Sequence, residues 1–554
     1  MAPVTEPWNL PPGAITDARP AGCEAADVTS SRVRRAAAVC VIVAGSIAWV
    51  LFLTEVGRHT RYGTSDNANA LLAGQSMLHG NLLLRGWELP PDSYWLIDLP
   101  LFGLASVLFG LREVLLHAVP AAVAMAAVAV GAIVAQMDLR PTRRWVAAGV
   151  LFILLVIPHN YLVLFVLQGP HHLMTGLYCL IAFALLARSG FGEWRWMLAI
   201  VLLAAAAHSD AVAIAVGVVP VAAAGLLDGL RSRRLAALVA PLTAAVGALL
   251  GAALLHLLLQ VADGYTLRPD PAPYIHAWRQ NLRDTPTILG ALLGVLSRGG
   301  LKGRDLAAHW AGAGLFVAAA AMTLFRSAIS LRRPATPPAD DPPPVRLRRP
   351  GPAWLDDVLL VGCVGGVAVF ALLTRPGQQV INARFLLPTL LFGAVLTARR
   401  LIEVTARVPA VALAAAGIAL GAAYLSPPLE PLRRPVPVNP SVAVVDWLKA
   451  RSLDRGYGQY WVAGLTTVSG RGTVAVRPVY ELDGRLRADT GFADRRWFDD
   501  KKPFRFVVLD LVNSYGVDQE AAEYTFGPAA EAHDIGPYRV LVWNGNLTVP
   551  LAPS

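Results

Sequence analysis

Apolar residues in this chain come in long blocks separated by short polar loops. A hydrocarbon core of ~30 Å asks for roughly 20 residues of helix, and most blocks approach or exceed that. Spans are predicted over 36–56, 113–137, 145–167, 173–188, 196–209, 211–230, 235–258, 308–326, 355–374, 385–398 and 408–425. Alanine, leucine and valine fill them without the alternation of a barrel strand, which predicts helices. One more apolar stretch, Tyr94 to Gly110, is short and interrupted by Asp98 and Pro100. It is expected to lie in the membrane plane or to re-enter it, as part of a large first outer loop, 57–112.

From about Pro427 the pattern becomes that of a soluble domain. Asn439-Pro440 reads as a helix start, with Asn as cap and Pro in the first turn. Gly458–Ala463, Thr473–Tyr480, Phe504–Leu511 and Tyr538–Trp543 read as strands, so 427–554 is expected to be a small α/β domain. It holds no P-loop, Rossmann glycine pattern or zinc spacing.

Charge sets the orientation. With the N-terminus inside, the inside loops carry Arg140, Arg143 and Arg144, then Arg188 and Arg195, Arg231, Arg233 and Arg234, the basic Pro-rich loop 327–353, and Arg399, Arg400 and Arg407. The short outer loops near 168–172 and 210 carry no Lys or Arg. This bias predicts a multi-pass plasma-membrane protein with a cytoplasmic N-terminus and an extracytoplasmic C-terminal domain. Counting Tyr94–Gly110 as a full span would reverse the bias around Arg140. The net charge of +10 is therefore a topological signal, not a nucleic-acid footprint. A chain of 554 residues that is 55% hydrophobic and 16% charged, with mean hydropathy +0.50, does not fit an ordinary soluble protein. Of the four cysteines, Cys23, Cys40, Cys179 and Cys363, none is in the C-terminal domain, and no disulfide framework follows. Residues 1–33 read as a disordered cytoplasmic tail, followed by a signal anchor from Ala36 and a transmembrane region over 34–426. The expected fold class is a mainly helical polytopic membrane protein of about eleven transmembrane helices with a small C-terminal α/β domain.

The first outer loop carries the most informative residues: Thr64-Ser-Asp-Asn-Ala-Asn-Ala-Leu-Leu-Ala-Gly-Gln-Ser-Met-Leu-His-Gly-Asn. Asp66 stands just past the first span, ahead of apolar positions with helical spacing. A carboxylate there can face a cavity at the membrane boundary, or it can cap the free amides of the helix. An acidic residue after the first span, a juxtamembrane helix, an in-plane apolar segment and many further spans together resemble the GT-C glycosyltransferases. That superfamily includes protein O-mannosyltransferases, aminoarabinose transferases and arabinosyl- and mannosyltransferases of actinobacterial envelopes, and the Ala-, Arg-, Gly- and Pro-rich composition suits that last branch. Several members have an Asp-Asp or Asp-Glu pair in this loop, whereas Asp66 is followed by Asn67.

The resemblance implies an enzyme that moves a hexosyl or pentosyl group from a polyprenyl-phosphate donor to a glycan, lipid or protein acceptor on the outer face. It implies Asp66 as catalytic base, because an acceptor hydroxyl attacks well only as its proton is removed. A single displacement would invert the anomeric centre. Gly169-Pro170-His171-His172 and His208-Ser209-Asp210 are predicted at the same depth as Asp66. His171, His172, His208, Asp210 and Asp98 are candidates for substrate binding, as is Asp92, although histidines also simply mark the interface. Asp66, Asp210 and His171 are the candidates for a divalent metal, Mg or Mn, a requirement their spacing leaves open.

The departing phosphate calls for cations. Outer loop 259–307 supplies Arg268, Arg279, Arg283, Arg298, Lys302 and Arg304 among Tyr265, Tyr274, His276 and Trp278. The loop before the tenth span supplies Arg375 and Arg384, and Arg384-Phe385 is similar to the Arg-Tyr pair of bacterial members. Arginine binds phosphate bidentately; the alternative is snorkelling to lipid headgroups. In the C-terminal domain Gly456-Tyr-Gly-Gln-Tyr-Trp, Trp497, Tyr538 and Trp543 serve either core packing or sugar stacking. Two other functions compete, a transporter or flippase of an envelope lipid and a non-catalytic scaffold. A transporter would favour paired inverted repeats, and no convincing internal repeat is visible.

Overall fold

In a computed structural model the chain is described over residues 21–137, 144–157, 160–268, 275–296, 303–332, 350–351, 353–405, 408–499 and 502–551. It divides into two compact units, Met1–Trp49 and Val50–Ser554. The described part of the first is helix, the beginning of α1 (Ala21–Thr60). This helix starts inside the segment expected to be a disordered tail, because the alanine-rich stretch after Pro20 contains no further proline to stop it. Residues 1–20 of that tail lie outside the described residues, as do 333–349 of the Pro-rich loop and Arg140, Arg143, Tyr274, Arg298, Lys302 and Arg407.

The second unit continues through α2 (Ser65–Leu78), β1 (Trp87–Leu89), α3 (Leu99–Phe109) and α4 (Leu115–Ala135). Then follow α5 (Arg144–Leu151), α6 (Asn160–Val166), α7 (Leu173–Arg188), α8 (Trp194–Ser209), α9 (Val219–Ser232) and α10 (Ala236–Val261). After β2 (Thr266–Leu267) come α11 (Trp278–Leu292), α12 (Gly303–Arg332), α13 (Trp354–Leu373), α14 (Leu387–Val404) and α15 (Ala410–Leu429). Seven helical stretches among the described residues are long and apolar enough to cross a membrane: Ala36–Thr60, Leu115–Ala135, Ile214–Ser232, Ala236–Val261, Gly303–Arg332, Trp354–Leu373 and Ile381–Val404. Three shorter apolar helices, Leu173–Arg188, Trp194–Ser209 and Val411–Leu425, coincide with further predicted spans, while the single span expected over 145–167 is divided between Trp145–Leu155 and α6. Another short apolar helix, Leu99–Phe109, is ~16 Å long at 1.5 Å per residue and too short to cross.

Helix α3 lies against α2 at a crossing of two glycines. A Cβ on Gly74 would stand 2.5 Å from both the Leu99 carbonyl oxygen and the Gly103 amide nitrogen, all of it backbone that cannot swing aside. Small residues let helices meet this closely where lipid offers no hydrophobic drive. Gly74→Ala is expected to destabilise the protein by about 1–3 kcal/mol through overpacking, read as a lower midpoint of thermal unfolding in detergent. An unchanged midpoint would mean that the contact is loose.

Arg399 and Arg400 correct the loop reading. Both lie inside α14 and are 6% exposed. Asp356, in the first turn of α13, accepts from Arg399 Nε and from Arg400 Nη2, each at 2.6 Å. Arg399 also donates to the carbonyl oxygens of Val134 and Met137 at the end of α4, and Arg400 to Glu403. The neighbouring Asp357 accepts from Arg231 of α9 and from Ser327 of α12. Buried charges of this kind persist only when paired, and here the pairing ties five helices together at one end.

The C-terminal part contains α16 (Pro440–Ala450), β3 (Arg455–Gln459), α17 (Tyr460–Ser469), β4 (Ala475–Leu482), β5 (Arg485–Ala488) and β6 (Ala493–Asp494). It ends with β7 (Phe506–Asp510), α18 (Gln519–Phe526), β8 (Glu531–Ile535) and β9 (Tyr538–Val542). Asn439 caps α16, its side chain accepting from the Ser441 amide at 3.0 Å. A six-stranded sheet runs in the order β5-β4-β3-β7-β9-β8, with β3 parallel to both β4 and β7 and the outer pairs antiparallel. The strand expected over Gly458–Ala463 stops at Gln459, because a parallel crossover from β3 to β4 needs a helix to carry the chain back. Val444, Leu448, Val462 and Phe506 pack in the core on one face of the sheet, and Val507, Leu509, Ala521 and Leu541 on the other.

A second, three-stranded sheet ties this domain to the segments around Trp87–Leu89 and Thr266–Leu267. In its order β2-β1-β6, Trp87 and Glu88 pair antiparallel with Asp494 and Ala493, and Leu89 pairs parallel with Leu267. The Glu88 carboxylate also accepts from Thr490 at 2.5 Å and Arg495 at 3.3 Å.

Candidate functional site

Helix α2 begins at Thr64, whose hydroxyl oxygen accepts the Asn67 amide. Thr64 thus does the capping, and Asp66, one residue into the first turn, is left for another use. The Asn67 side chain donates to the Leu116 carbonyl at 2.9 Å and fixes this turn against α4. Asp66 Oδ1 accepts a 2.6 Å hydrogen bond from the Tyr460 hydroxyl at the start of α17. That bond is available because α17 packs tightly on α2: a Cβ on Gly464 would stand 2.5 Å from Asn69 Oδ1. Burial, reinforced by the Asp66 charge, pushes the Tyr460 phenol well above its ordinary pKa, so it remains a donor.

Asp66 and Tyr460 line a cavity of about 670 Å³. Asp92, Arg375 and Arg384 line the same space. Arg384 sits in a 3-10 turn, Ile381–Leu386, just before α14, and its guanidinium stacks 5.5 Å from the Phe385 ring centre. Its Nε has no hydrogen-bond partner among the described residues. Asp489 and Arg268 meet on another wall, Arg268 Nη1 lying 3.4 Å from Asp489 Oδ1. Burial pushes Asp489 above the usual carboxylate pKa, and only partly does the Arg268 charge offset this. Arg268 lies flat on Gly491, where a Cβ would stand 2.1 Å from Nη1. Arg279 and Arg283 are exposed on α11, and Arg304 is exposed at the start of α12.

The histidines separate into three settings. His172 is fully buried, stacks on Phe385 at 4.8 Å and donates from Nδ1 to Asp210 Oδ2 at 2.8 Å. Asp210 Oδ2 also accepts from Thr175, and its Oδ1 from the Val212 amide at 2.9 Å. With Nδ1 committed, the partnerless Nε2 of His172 points toward Asp92, 3.9 Å from Oδ2. Ligand atoms of Asp92, His172 and Asp210 all fall within 4.8 Å of one another. The group that could hold a divalent cation is therefore Asp92 and His172 with Asp210, which also orients the imidazole; of the expected Asp66, Asp210 and His171, Asp210 alone belongs to it. His171 instead faces a small cleft with Asp98, whose Oδ2 has no hydrogen-bond partner among the described residues. Burial, with the Asp210 charge added, raises the Asp98 pKa well above the carboxylate range. His208 stands apart, Nε2 3.0 Å from the Tyr265 hydroxyl, which in turn donates to Ser93.

Sequence reasoning missed Tyr460 as a partner of Asp66, and it missed Asp489 altogether. The aromatic run at 456–461 was a usable signal for the first; the loop around Asp489 offers none. Asp92 and Arg268 were named only among larger sets.

No family model and no curated relative matches the sequence. Among solved structures, ArnT from Cupriavidus metallidurans in the apo state matches with TM-score 0.51 at 12% identity, over 93% of this chain and 100% of that one. The same protein bound to undecaprenyl phosphate matches with TM-score 0.50 at 12% identity, over 92% and 99%. An oligosaccharyltransferase from Archaeoglobus fulgidus, tethered with an acceptor peptide, gives TM-score 0.46 at 12% identity, over 86% and 71%. Nearly the whole chain thus shares the fold of ArnT.

Proposed function

We propose that the protein transfers a sugar from a polyprenyl-phosphate donor to an acceptor hydroxyl on the outer face of the membrane. The observation that carries this reading is that Asp66 and Arg384 line one cavity although 318 positions separate them in sequence (384 − 66). In the step, the acceptor oxygen bonds to the anomeric carbon as its proton passes to Asp66. The bond from that carbon to the phosphate oxygen breaks, and its electron pair leaves with the lipid phosphate. Such a single displacement inverts the anomeric centre. Arg384, with Arg375 beside it, would hold the phosphate and stabilise the charge that grows on it. That ArnT is seen with undecaprenyl phosphate supports a lipid-phosphate donor for a chain of the same fold. A divalent cation at Asp92 and His172 would add Lewis-acid stabilisation at the phosphate.

The test is binding of undecaprenyl phosphate to the purified full chain in nanodiscs, read by native mass spectrometry. Arg384→Ala is expected to weaken binding roughly ten- to a hundredfold, the worth of a lost charge-assisted hydrogen bond. Parental affinity in the variant would return Arg384 to the class of headgroup-snorkelling arginines, and absence of binding by the parent would remove the lipid-phosphate donor.

A further inference from the structure

The six-stranded sheet has a topological switch point between β3 and β7. From the carboxyl end of β3 the chain enters α17, whose Val462 and Ala463 belong to the core on one face. From the carboxyl end of the parallel neighbour β7 it passes to α18, whose Ala521 and Ala522 belong to the core on the other face. Connections leaving to opposite faces open a crevice outside the strand ends, and that is where open α/β sheets bind ligands. Here the Gln459 side-chain amide donates to the Asn513 carbonyl at 2.8 Å across this crevice. The residues that edge it also line the cavity that holds Asp66.

What the crevice presents is specific. β3 passes directly into α17 at Gln459-Tyr460-Trp461, with no glycine-rich loop between them to cradle a phosphate as a nucleotide-binding crevice does. The domain buries Tyr457, Phe504 and Phe506 in its cores, yet leaves Trp461 44% and Tyr515 71% exposed, both on the cavity. Tyr515 is held in the left-handed region at φ +47°, a conformation costly for a side chain of its size and kept where something uses it. Asp489 lines the same cavity.

We propose that this crevice binds a carbohydrate, laying the C–H faces of its rings on Trp461 and Tyr515 and its hydroxyls within reach of Asp489, and that it is the acceptor half of the cavity. Flat aromatic faces beside a carboxylate suit a sugar better than a peptide, which would need apolar holes for its side chains. Naming the ligand an acceptor rests on the sugar-transfer reading above; the binding itself does not.

The experiment uses the full chain in nanodiscs, with maltotriose, cellotriose and mannotriose as probes in saturation-transfer NMR, and undecaprenyl phosphate binding measured in parallel. At least one trisaccharide is expected to bind, and Trp461→Ala and Tyr515→Ala should each weaken it by roughly tenfold while lipid binding stays at the parental level. Trp461→Phe, which keeps a flat face, should retain most of the affinity. No trisaccharide bound by the parent, or equal binding by both alanine variants, overturns the proposal. So does a Ser/Thr-rich peptide that binds in a Trp461-dependent way where the trisaccharides do not, because it makes the acceptor a protein. Trisaccharide binding that depends on Trp461, with no lipid bound by any form, sustains the crevice and overturns the donor reading instead.

Discussion

Asp66→Asn is expected to lower the rate of sugar transfer by roughly 10²–10⁴-fold, the usual contribution of a general base, with donor affinity and folding left near the parental level. The structure makes this substitution unusually clean. Asparagine keeps an oxygen that can accept the Tyr460 hydrogen bond, so the contact between α2 and α17 survives. The helix cap is not at stake either, because Thr64 provides it. What the variant loses is the capacity to take a proton. The measurement is turnover with a polyprenyl-phosphate sugar at saturating acceptor, beside a thermal melt. Transfer at the parental rate would remove Asp66 from the chemistry and leave it a docking residue for Tyr460.

Asp356→Ala is the second change of large expected effect, and it acts on stability. It removes the shared partner of Arg399 and Arg400 and leaves two guanidiniums inside the bundle with incomplete pairing. Breaking a buried ion pair by deleting one side costs about 3–5 kcal/mol. The remaining bonds from Arg399 to Val134 and Met137, and from Arg400 to Glu403, place the loss toward the lower end. Replacing the cluster together, as Asp356→Leu with Arg399→Met and Arg400→Met, should recover much of it, because the isolated charge and not the lost attraction is the larger cost. Melting curves in detergent decide: a single variant as stable as the parent would show that water reaches the cluster.

The run of spans was readable because a lipid core imposes one rule on every segment that crosses it, and long apolar blocks satisfy that rule residue by residue. Tyr94–Gly110 was readable for the same reason, since Asp98 and Pro100 mark where the rule fails. Arg399 and Arg400 were misplaced because loop statistics count charges without knowing their neighbours, and Asp356 lies more than forty positions away. The start of α17 was read as strand because the aromatic and β-branched residues at 460–463 suit both states, and only the parallel pairing of β3 with β4 decides between them. At the site, Asp66 and Arg384 stand out locally, one as a carboxylate beside a predicted span and the other as an arginine at the start of one. Asp92 with His172, and Asp489 with Arg268, depend on pairings made by short strands and turns that leave no periodic trace.

The hydrogen bond between Asp66 and Tyr460 joins positions 394 residues apart, one just after the first predicted span and the other beyond the last. During synthesis the carboxylate is therefore laid down early, and its tyrosine arrives only when nearly the whole chain has been inserted. A part-made protein holds Asp66 with neither the Tyr460 hydroxyl nor the aromatic wall around it. On the proposed reading, the proton acceptor and the wall facing it come together only after the last span has been made. The site is thus completed last, when α17 settles on α2 around Gly464.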